Sequence, residues 1–143
     1  MSVPRHTKSA VERAMHACKG AGAKRALPLP VSVPSHCALM RPASEQLAER
    51  LDKITISTPT IRVINNVDVV NESDPKVIKQ ALVRQLYSPV RWVETVNHLK
   101  SQGVTRLVEI GPGKVLAGLV KRIDSEIEIL ALSDLKSVKE YLV

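Results

Sequence analysis

The sequence predicts an α/β fold with a mostly parallel sheet, and three observations support this prediction. Apolar residues recur every three or four positions in several segments, as on one face of a helix. Short apolar runs rich in Val and Ile lie between some of these segments, and glycine or proline separates the two kinds of run. Helices and strands that alternate along a chain build parallel sheets covered by helices. With 143 residues, the chain is long enough for one domain, or for one domain and a fragment of another.

The first third of the chain is predicted to contain one helix and one edge strand. The apolar face of this helix is formed by Val11, Ala14, Met15 and Cys18. Gly20 and Gly22 can end the helix, because glycine adopts the left-handed conformation that follows many helices. Residues 26–33 are apolar but include two prolines, which favours an edge strand over a central one.

The middle of the chain is predicted to contain three helices and one strand. The first of these helices has apolar residues at Leu39, Ala43, Leu47, Leu51 and Ile54, and Pro42 is tolerated near its start. Residues 61–67 are predicted to form a strand.

Two further helices are predicted from their start signals. Asp74 and Pro75 combine an N-cap with proline at the first helical position, and Ser88 and Pro89 repeat this start signal. The buried faces of the two helices are predicted at Val77, Ile78, Ala81, Leu82 and Leu86, and at Val93, Val96 and Leu99. Gly103 stands where a C-terminal cap belongs.

The last third of the chain is predicted to form a strand, a helix, a second strand and a final helix. Residues 106–110 are the first strand, and Gly111, Pro112 and Gly113 form a tight turn. A helix over residues 114–123, a strand over 127–132 and a short helix over 134–142 follow. A helix between two strands is the connection that joins parallel neighbours.

Charge and cysteine content limit the classes of partner. The net charge is +7, and residues 1–53 carry most of the excess, with nine Lys and Arg against four Asp and Glu. The basic residues are mostly single, and one Trp, two Tyr and no Phe offer few rings for base stacking. An acidic protein partner, or no partner at all, is therefore favoured over nucleic acid. Two cysteines make no disulfide framework, and neither a signal peptide nor a membrane-spanning run is recognisable. These features predict a soluble protein of the cytoplasm that does not bind membranes.

His36 is the leading candidate for a catalytic side chain. It lies between a proline-rich extended segment and an amphipathic helix, at a strand-to-helix junction where α/β proteins bind ligands. Pro34 restricts the backbone, and Ser35 offers a helix N-cap. A neutral imidazole at such a place can take a proton from a hydroxyl nucleophile and later return it. The chain contains no G-x-S-x-G nucleophile elbow, so this histidine has no such serine here. A structural, hydrogen-bonded histidine is the alternative.

A glycine-rich turn and two His and Cys pairs are weaker candidates. The loop from Gly111 to Lys114 could hold a phosphate at a helix N-terminus, but it fits neither the Walker pattern nor G-x-G-x-x-G. A tight turn that brings strand and helix together is the favoured interpretation. His36 with Cys37, and His16 with Cys18, lack the spacing of metal ligands. We therefore expect no metal site, and Cys18 is expected to be a small core residue.

Four segments resemble bacterial malonyl-CoA:acyl carrier protein transacylases, the acyltransferases of fatty-acid synthesis. They occur in the order found in that family: A-L-P-L-P-V-S-V-P-S-H-C-A-L-M (26–40), T-P-T-I-R-V-I-N-N-V-D-V (58–69), V-R-Q-L-Y-S-P-V-R-W (83–92) and V-E-I-G-P-G-K-V-L-A-G-L (108–119). The resemblance runs from about residue 8 to near the C-terminus. It covers only about the C-terminal half of a family member, which predicts a truncated member.

The resemblance implies site residues and substrates. In the family a serine in a G-H-S-L-G elbow attacks the malonyl thioester, and a histidine acts as general base and then as acid; His36 matches that histidine. Gln85 matches the glutamine whose backbone carbonyl orients the histidine, and Ser35 and Val115 match residues that line the pocket. Malonyl-CoA would be the substrate and acyl carrier protein the partner, with no cofactor. The elbow serine, a glutamine of the oxyanion hole and the arginine that binds the malonyl carboxylate have no counterpart in the sequence.

The resemblance also implies a domain organisation. Residues 1–7 match nothing, residues 8–33 would be a remnant of a ferredoxin-like small subdomain, and residues 34–143 would be the C-terminal part of an α/β-hydrolase-like acyltransferase subdomain. The chain alone is expected to be inactive and to need a separate chain that supplies the N-terminal half. Two alternatives remain: a non-catalytic remnant that binds carrier protein, and a nucleotide- or CoA-binding α/β module that uses residues 111–114.

Overall fold

The structure is a computed structural model that describes residues 8–28, 31 and 33–142. The chain divides into two compact units, one up to Arg91 and one from Trp92 onward. None of the helices in these residues combines the length and apolar character that crossing a bilayer requires. The α-helices are α1 (Lys8–Gly20), α2 (Arg41–Asp52), α3 (Pro75–Tyr87), α4 (Trp92–Ser101), α5 (Val115–Ile123) and α6 (Leu135–Tyr141). The strands are β1 (Arg106–Ile110) and β2 (Glu128–Leu132), and a short 3₁₀ helix spans Ala38–Met40.

The first helix forms where the apolar pattern predicts it, and glycine ends it. The Gly22 amide donates to the Lys19 carbonyl and the Ala23 amide to the Cys18 carbonyl, with Gly22 at φ +88°. This pair of bonds is the Schellman ending that needs a left-handed residue. Cys18 is only half-buried, so its assignment to the core is wrong. In the described residues, no side chain of α1 is fully buried.

Neither strand predicted for the first unit forms in the described residues. Residues 26–28, 31 and 33 have no strand partner, and residues 29, 30 and 32 lie outside the described part of the chain. The strand predicted over residues 61–67 is reduced to one antiparallel bridge between Ile64 and Asn71, and Ile61 is 78% exposed. A β-propensity pattern forms a strand only when a partner strand lies beside it.

The packing of the first unit is dominated by α2 and α3. These helices contact each other, and the 3₁₀ helix contacts both. Leu51 and Ala81 are buried in this unit, together with Ser44, whose hydroxyl donates to the Arg41 carbonyl at 2.7 Å. Helix α2 is shorter than the helix predicted over Leu39 to Ile54. Leu39 belongs to the 3₁₀ helix and Ile54 lies beyond α2, and both side chains are about half exposed.

The second unit is built on a parallel β–α–β motif. Strands β1 and β2 pair in parallel from Arg106 opposite Glu128 to Ile110 opposite Leu132, and α5 connects them. Helices α5 and α6 contact β2, and α4 contacts α5. The predicted parallel arrangement is thus confirmed for this pair of strands. Asp134 caps α6, because its side chain accepts the Ser137 amide while the Ser137 hydroxyl lies 3.2 Å from the Asp134 amide.

Helix α4 starts three residues later than the sequence predicts. Pro89 is not its first residue, because the helix begins at Trp92. Its end is as predicted: Gly103 has φ +82°, and the Val104 amide donates to the Leu99 carbonyl. Val96 is fully buried with Val120 and Ile127, and Trp92 packs against this cluster. Val93, also predicted to be buried, is 53% exposed.

Replacing Val96 with Ala should destabilise the second unit. We expect the free energy of unfolding to fall by about 2 kcal/mol, because the change removes two buried methyl groups and leaves a cavity. Val93→Ala is the matched control on the same helix and should change it by less than about 0.5 kcal/mol. Trp92 is the only tryptophan, so urea unfolding followed by its fluorescence reports on this core. Equal losses for the two variants would contradict the assignment of the core.

An acidic side chain next to α5 gives the second unit a pH-dependent stability. Asp124 and Glu126 both accept hydrogen bonds from the Lys100 ammonium. The bond from Lys100, together with one from the Glu126 amide, lowers the pKa of Asp124 below its ordinary value. The stabilisation that this carboxylate contributes is therefore present above the ordinary aspartate pKa, and it is lost as the pH falls through the lowered pKa of the folded state.

Asp124→Asn should therefore lower the free energy of unfolding near neutral pH, and it should lower it much less in acid. We expect the variant to unfold at lower urea than the wild type at pH 6, and the difference between them to narrow below about pH 4. Glu140→Gln is the control, since that carboxylate forms a surface pair with Lys136 at 3.8 Å. If wild type and Asp124→Asn differ by the same urea midpoint down to pH 3, protonation of Asp124 does not weaken the ion pair, which contradicts this account.

Candidate active site

The candidate site lies at the C-terminal end of α3, where the helix leaves carbonyl oxygens without helical partners. Asp74 starts α3 by accepting the Lys76 amide at 2.7 Å, with Pro75 as the next residue, as the sequence predicts. At the other end, the Ser88 amide donates to the Arg84 carbonyl. The carbonyls that follow Arg84 need other donors, because the last turn of any helix lacks N–H groups beyond it.

The backbone of His36 supplies one of these donors. Its amide donates to the Leu86 carbonyl at 2.9 Å. His36 has φ +62°, a left-handed conformation that costs a residue with a side chain about 1 kcal/mol or more. The residues on either side form compact turns: the Ser35 amide donates to the Val33 carbonyl, and the Cys37 thiol donates to the Pro34 carbonyl at 3.2 Å. The strained backbone therefore lies in a well-fixed segment that docks on α3.

The imidazole ring of His36 contacts two further carbonyls at the end of α3. Its Nδ1 lies 3.0 Å from the Gln85 carbonyl oxygen and 3.2 Å from that of Ser88. Carbonyl oxygens only accept hydrogen bonds, so Nδ1 must carry a proton and donate. In a neutral ring Nε2 then carries the lone pair. A half-buried imidazole held in this way can accept a proton at Nε2 while the helix carbonyls stabilise the positive charge that results.

The structure brings together two of the four predicted site residues. His36 and Gln85 are in contact through the Gln85 backbone, and Ser35 precedes His36 and is half-buried. Val115 belongs to the second unit, where it begins α5 and is 70% exposed. The carbonyls of Leu86 and Ser88 were not predicted from the sequence. Their signal is the Ser88 and Pro89 pair, which ends α3 and does not start a helix as the sequence predicts.

The glycine turn before α5 does not offer its helix N-terminus to a phosphate. The Glu109 carboxylate, at the end of β1, accepts the Leu116 amide at 3.0 Å and the Ala117 amide at 2.8 Å. These are the N–H groups that would cradle a phosphate there, and a bound anion would meet the negative charge of Glu109. Gly111 and Gly113 both have positive φ, as a tight turn requires. The geometry supports the turn interpretation of residues 111–114.

Comparisons of sequence relate the chain to proteins with a named activity. It is 60% identical over 139 residues to the malonyl CoA-acyl carrier protein transacylase of Haemophilus influenzae, covering 95% of this chain and 45% of that protein. It is 61% identical over 127 residues to the protein of the same name from Salmonella typhimurium, covering 89% and 41%. No family model matches the chain.

Comparisons of structure agree. An acyl carrier protein S-malonyltransferase from Vibrio cholerae matches with a TM-score of 0.87 and 60% identity, over 94% of this chain and 44% of that one. A malonyl-transacylase solved in complex with a type II PKS acyl-carrier protein matches with a TM-score of 0.91 and 57% identity, over 94% and 44%. The chain thus has the fold of part of an α/β acyltransferase and spans less than half the length of these relatives.

Proposed function

We propose that this chain is the C-terminal portion of a malonyl-CoA:acyl carrier protein transacylase and supplies its general base. The whole reaction moves a malonyl group from the thiol of CoA to the thiol of an acyl carrier protein. The 60% identity to transacylases over nearly all of the chain supports the reaction class. The matching fraction of those proteins is under half, so the remaining parts of the site must come from another polypeptide segment.

The orientation of His36 is the observation that carries this proposal. With Nδ1–H donating to the Gln85 and Ser88 carbonyls, the lone pair on Nε2 can accept the proton of a serine hydroxyl. That serine then attacks the malonyl thioester, the carbon–sulfur bond breaks, and the imidazolium returns the proton to the CoA thiolate. In the second half of the reaction, His36 takes the proton from the carrier-protein thiol, and this thiol attacks the malonyl ester on the serine. The carbon–oxygen bond of the serine ester breaks as the new thioester forms, and the proton returns from His36 to the serine oxygen.

The other predicted residues and partners belong to the same proposal. Ser35 would line the malonyl pocket beside His36, and the pocket-lining role of Val115 is the one that the resemblance implies. The serine and the oxyanion donors would come from an N-terminal half on a separate segment. The chemistry uses nucleophile, base and substrate alone, so we propose that no cofactor takes part. In the described residues neither Cys18 nor Cys37 is part of a disulfide, which fits the cytoplasmic location expected from the sequence.

Reconstitution tests the proposed function. The 143-residue chain would be combined with a separately expressed N-terminal half of the Haemophilus influenzae transacylase, and transfer from radiolabelled malonyl-CoA to carrier protein measured. We expect transfer that depends on both chains. An associated, folded pair that transfers no malonyl group would contradict the proposal.

A second candidate function is non-catalytic binding of carrier protein. The net charge of +7 favours an acidic partner, and one structural relative was solved with an acyl-carrier protein. Titration of the chain alone with carrier protein distinguishes the two candidates. Binding that weakens steeply with salt, together with no transfer after reconstitution, would favour the binding function.

A further inference from the structure

The Gln85 carbonyl is available to His36 because residue 89 is a proline. In an α-helix, each carbonyl accepts the amide four residues later. The last such bond of α3 runs from the Ser88 amide to the Arg84 carbonyl at 3.1 Å. The next in register would join the amide of residue 89 to the Gln85 carbonyl, but proline has no N–H. The helix therefore cannot use this carbonyl.

Pro89 also restricts the second acceptor of the ring. A residue before proline is driven from the helical to the extended region, because the proline ring clashes with it. Ser88 has φ −106° and ψ 151°, which is extended. In this conformation the Ser88 carbonyl oxygen lies 3.2 Å from His36 Nδ1. Both oxygens that contact the imidazole thus depend on the same residue, one through a missing donor and the other through a backbone restriction.

We propose that Pro89 is a positioning residue that fixes the Nδ1–H tautomer of His36 by keeping the Gln85 and Ser88 carbonyls free to accept. Its effect on the tautomer is a property of the fold. Its effect on catalysis rests on the proposed function. The side chain of Pro89 needs no contact with substrate in this role.

Pro89→Ala tests the inference by restoring an N–H that competes for the Gln85 carbonyl. The chain would be labelled with ¹⁵N at histidine, and the two ring nitrogens of His36 observed at high pH, with a His36→Gln sample to assign the signals. We expect the wild type to carry the proton on Nδ1 and Pro89→Ala to shift the population toward Nε2–H. Pro75→Ala is the matched control, since it changes a proline at the opposite end of α3, and it should keep the wild-type tautomer.

A backbone ester separates the missing donor from the rigid ring. Lactic acid at position 89 has the side chain of alanine but no N–H, and it is introduced by semisynthesis. We expect this variant to keep the proton on Nδ1, which shows that the absent donor matters. If the ester variant shifts to Nε2–H as far as Pro89→Ala does, the part of the inference that rests on the missing donor is overturned. Should Pro89→Ala fail to fold, an ester variant that carries its proton mainly on Nε2 overturns the same part.

Kinetics of the reconstituted two-chain enzyme give a second readout. We expect Pro89→Ala to lower kcat by roughly 10-fold with KM changed by less than about 2-fold, because the base is misoriented while substrate contacts remain. An unchanged tautomer and kcat in Pro89→Ala would overturn the inference and leave the proposed function standing. A wild-type His36 with its proton on Nε2 would instead remove the basis of the proposed function itself.

Discussion

His36→Ala should abolish malonyl transfer by the reconstituted two-chain enzyme, with a loss in kcat on the order of 10⁵- to 10⁶-fold. The variant removes the only group that we assign to take the serine proton, and the helix carbonyls at the end of α3 cannot replace it. A factor of 10⁶ corresponds to about 8 kcal/mol of transition-state stabilisation. Transfer of radiolabelled malonyl groups under saturating substrate measures this loss.

Gln85→Ala is the informative comparison for this variant. Gln85 acts through its backbone oxygen, 3.0 Å from His36 Nδ1, and alanine keeps that oxygen and favours the helix. We therefore expect kcat to stay within about 3-fold of the wild type. Equal, large losses for His36→Ala and Gln85→Ala would show that the amide side chain, and not the carbonyl, orients the base.

The 143-residue chain assayed alone should transfer malonyl groups no faster than the uncatalysed reaction. The sequence contains no G-x-S-x-G elbow, and a nucleophile and base that act as a unit lose on the order of 10⁶-fold in rate when one is removed. The same assay without the complementary chain measures this rate. A control with the elbow serine of the complementary chain replaced by alanine should show the same loss.

A two-chain enzyme that carries both His36→Ala and the serine-to-alanine change gives a further check of this prediction. His36→Ala paired with the serine-to-alanine partner should be no slower than either change alone, because residues that act as a unit have non-additive effects. Additive losses would mean that His36 and the serine act in separate steps. Rapid transfer by the chain alone would show that the nucleophile lies within these residues.

The local chemistry of the sequence predicts all six α-helices of the described residues and several of their ends. The N-cap signal at Asp74 and the glycine at position 103 each place a helix end correctly, because capping needs only residues close in sequence. The parallel pair formed by β1 and β2 also follows from a strand–helix–strand pattern. The predictions of strands over 26–33 and 61–67 fail in the described residues, since a strand needs a partner that local sequence does not specify.

The candidate site was predictable in its main residue but not in its geometry. The strand-to-helix junction and the resemblance both predict His36, but its contacts with Gln85 and Ser88 span about 50 positions in sequence. The left-handed backbone of His36 and the hydrogen bond that the Ser88 carbonyl accepts depend on how two distant segments dock, which no spacing rule contains. Pro89 shows the limit most clearly: the same Ser-Pro pair that can start a helix here ends one.

The domain boundaries expected from resemblance, at residues 7/8 and 33/34, remain predictions, as does the ferredoxin-like character of residues 8–33. The chain divides into its two compact units between Arg91 and Trp92, and this division follows the contacts of the described residues. The fold as a whole agrees with part of an α/β acyltransferase, as the matches at TM-scores of 0.87 and 0.91 indicate.

The central claim is that this chain supplies the base while the nucleophile lies on the complementary segment. Intact-mass spectrometry of the two-chain enzyme, mixed with malonyl-CoA in the absence of carrier protein, tests it most directly. We expect one malonyl group on the N-terminal chain and none on the 143-residue chain. A malonyl group on the 143-residue chain, for example on Cys37 beside His36, or no acylation of either chain, would contradict it.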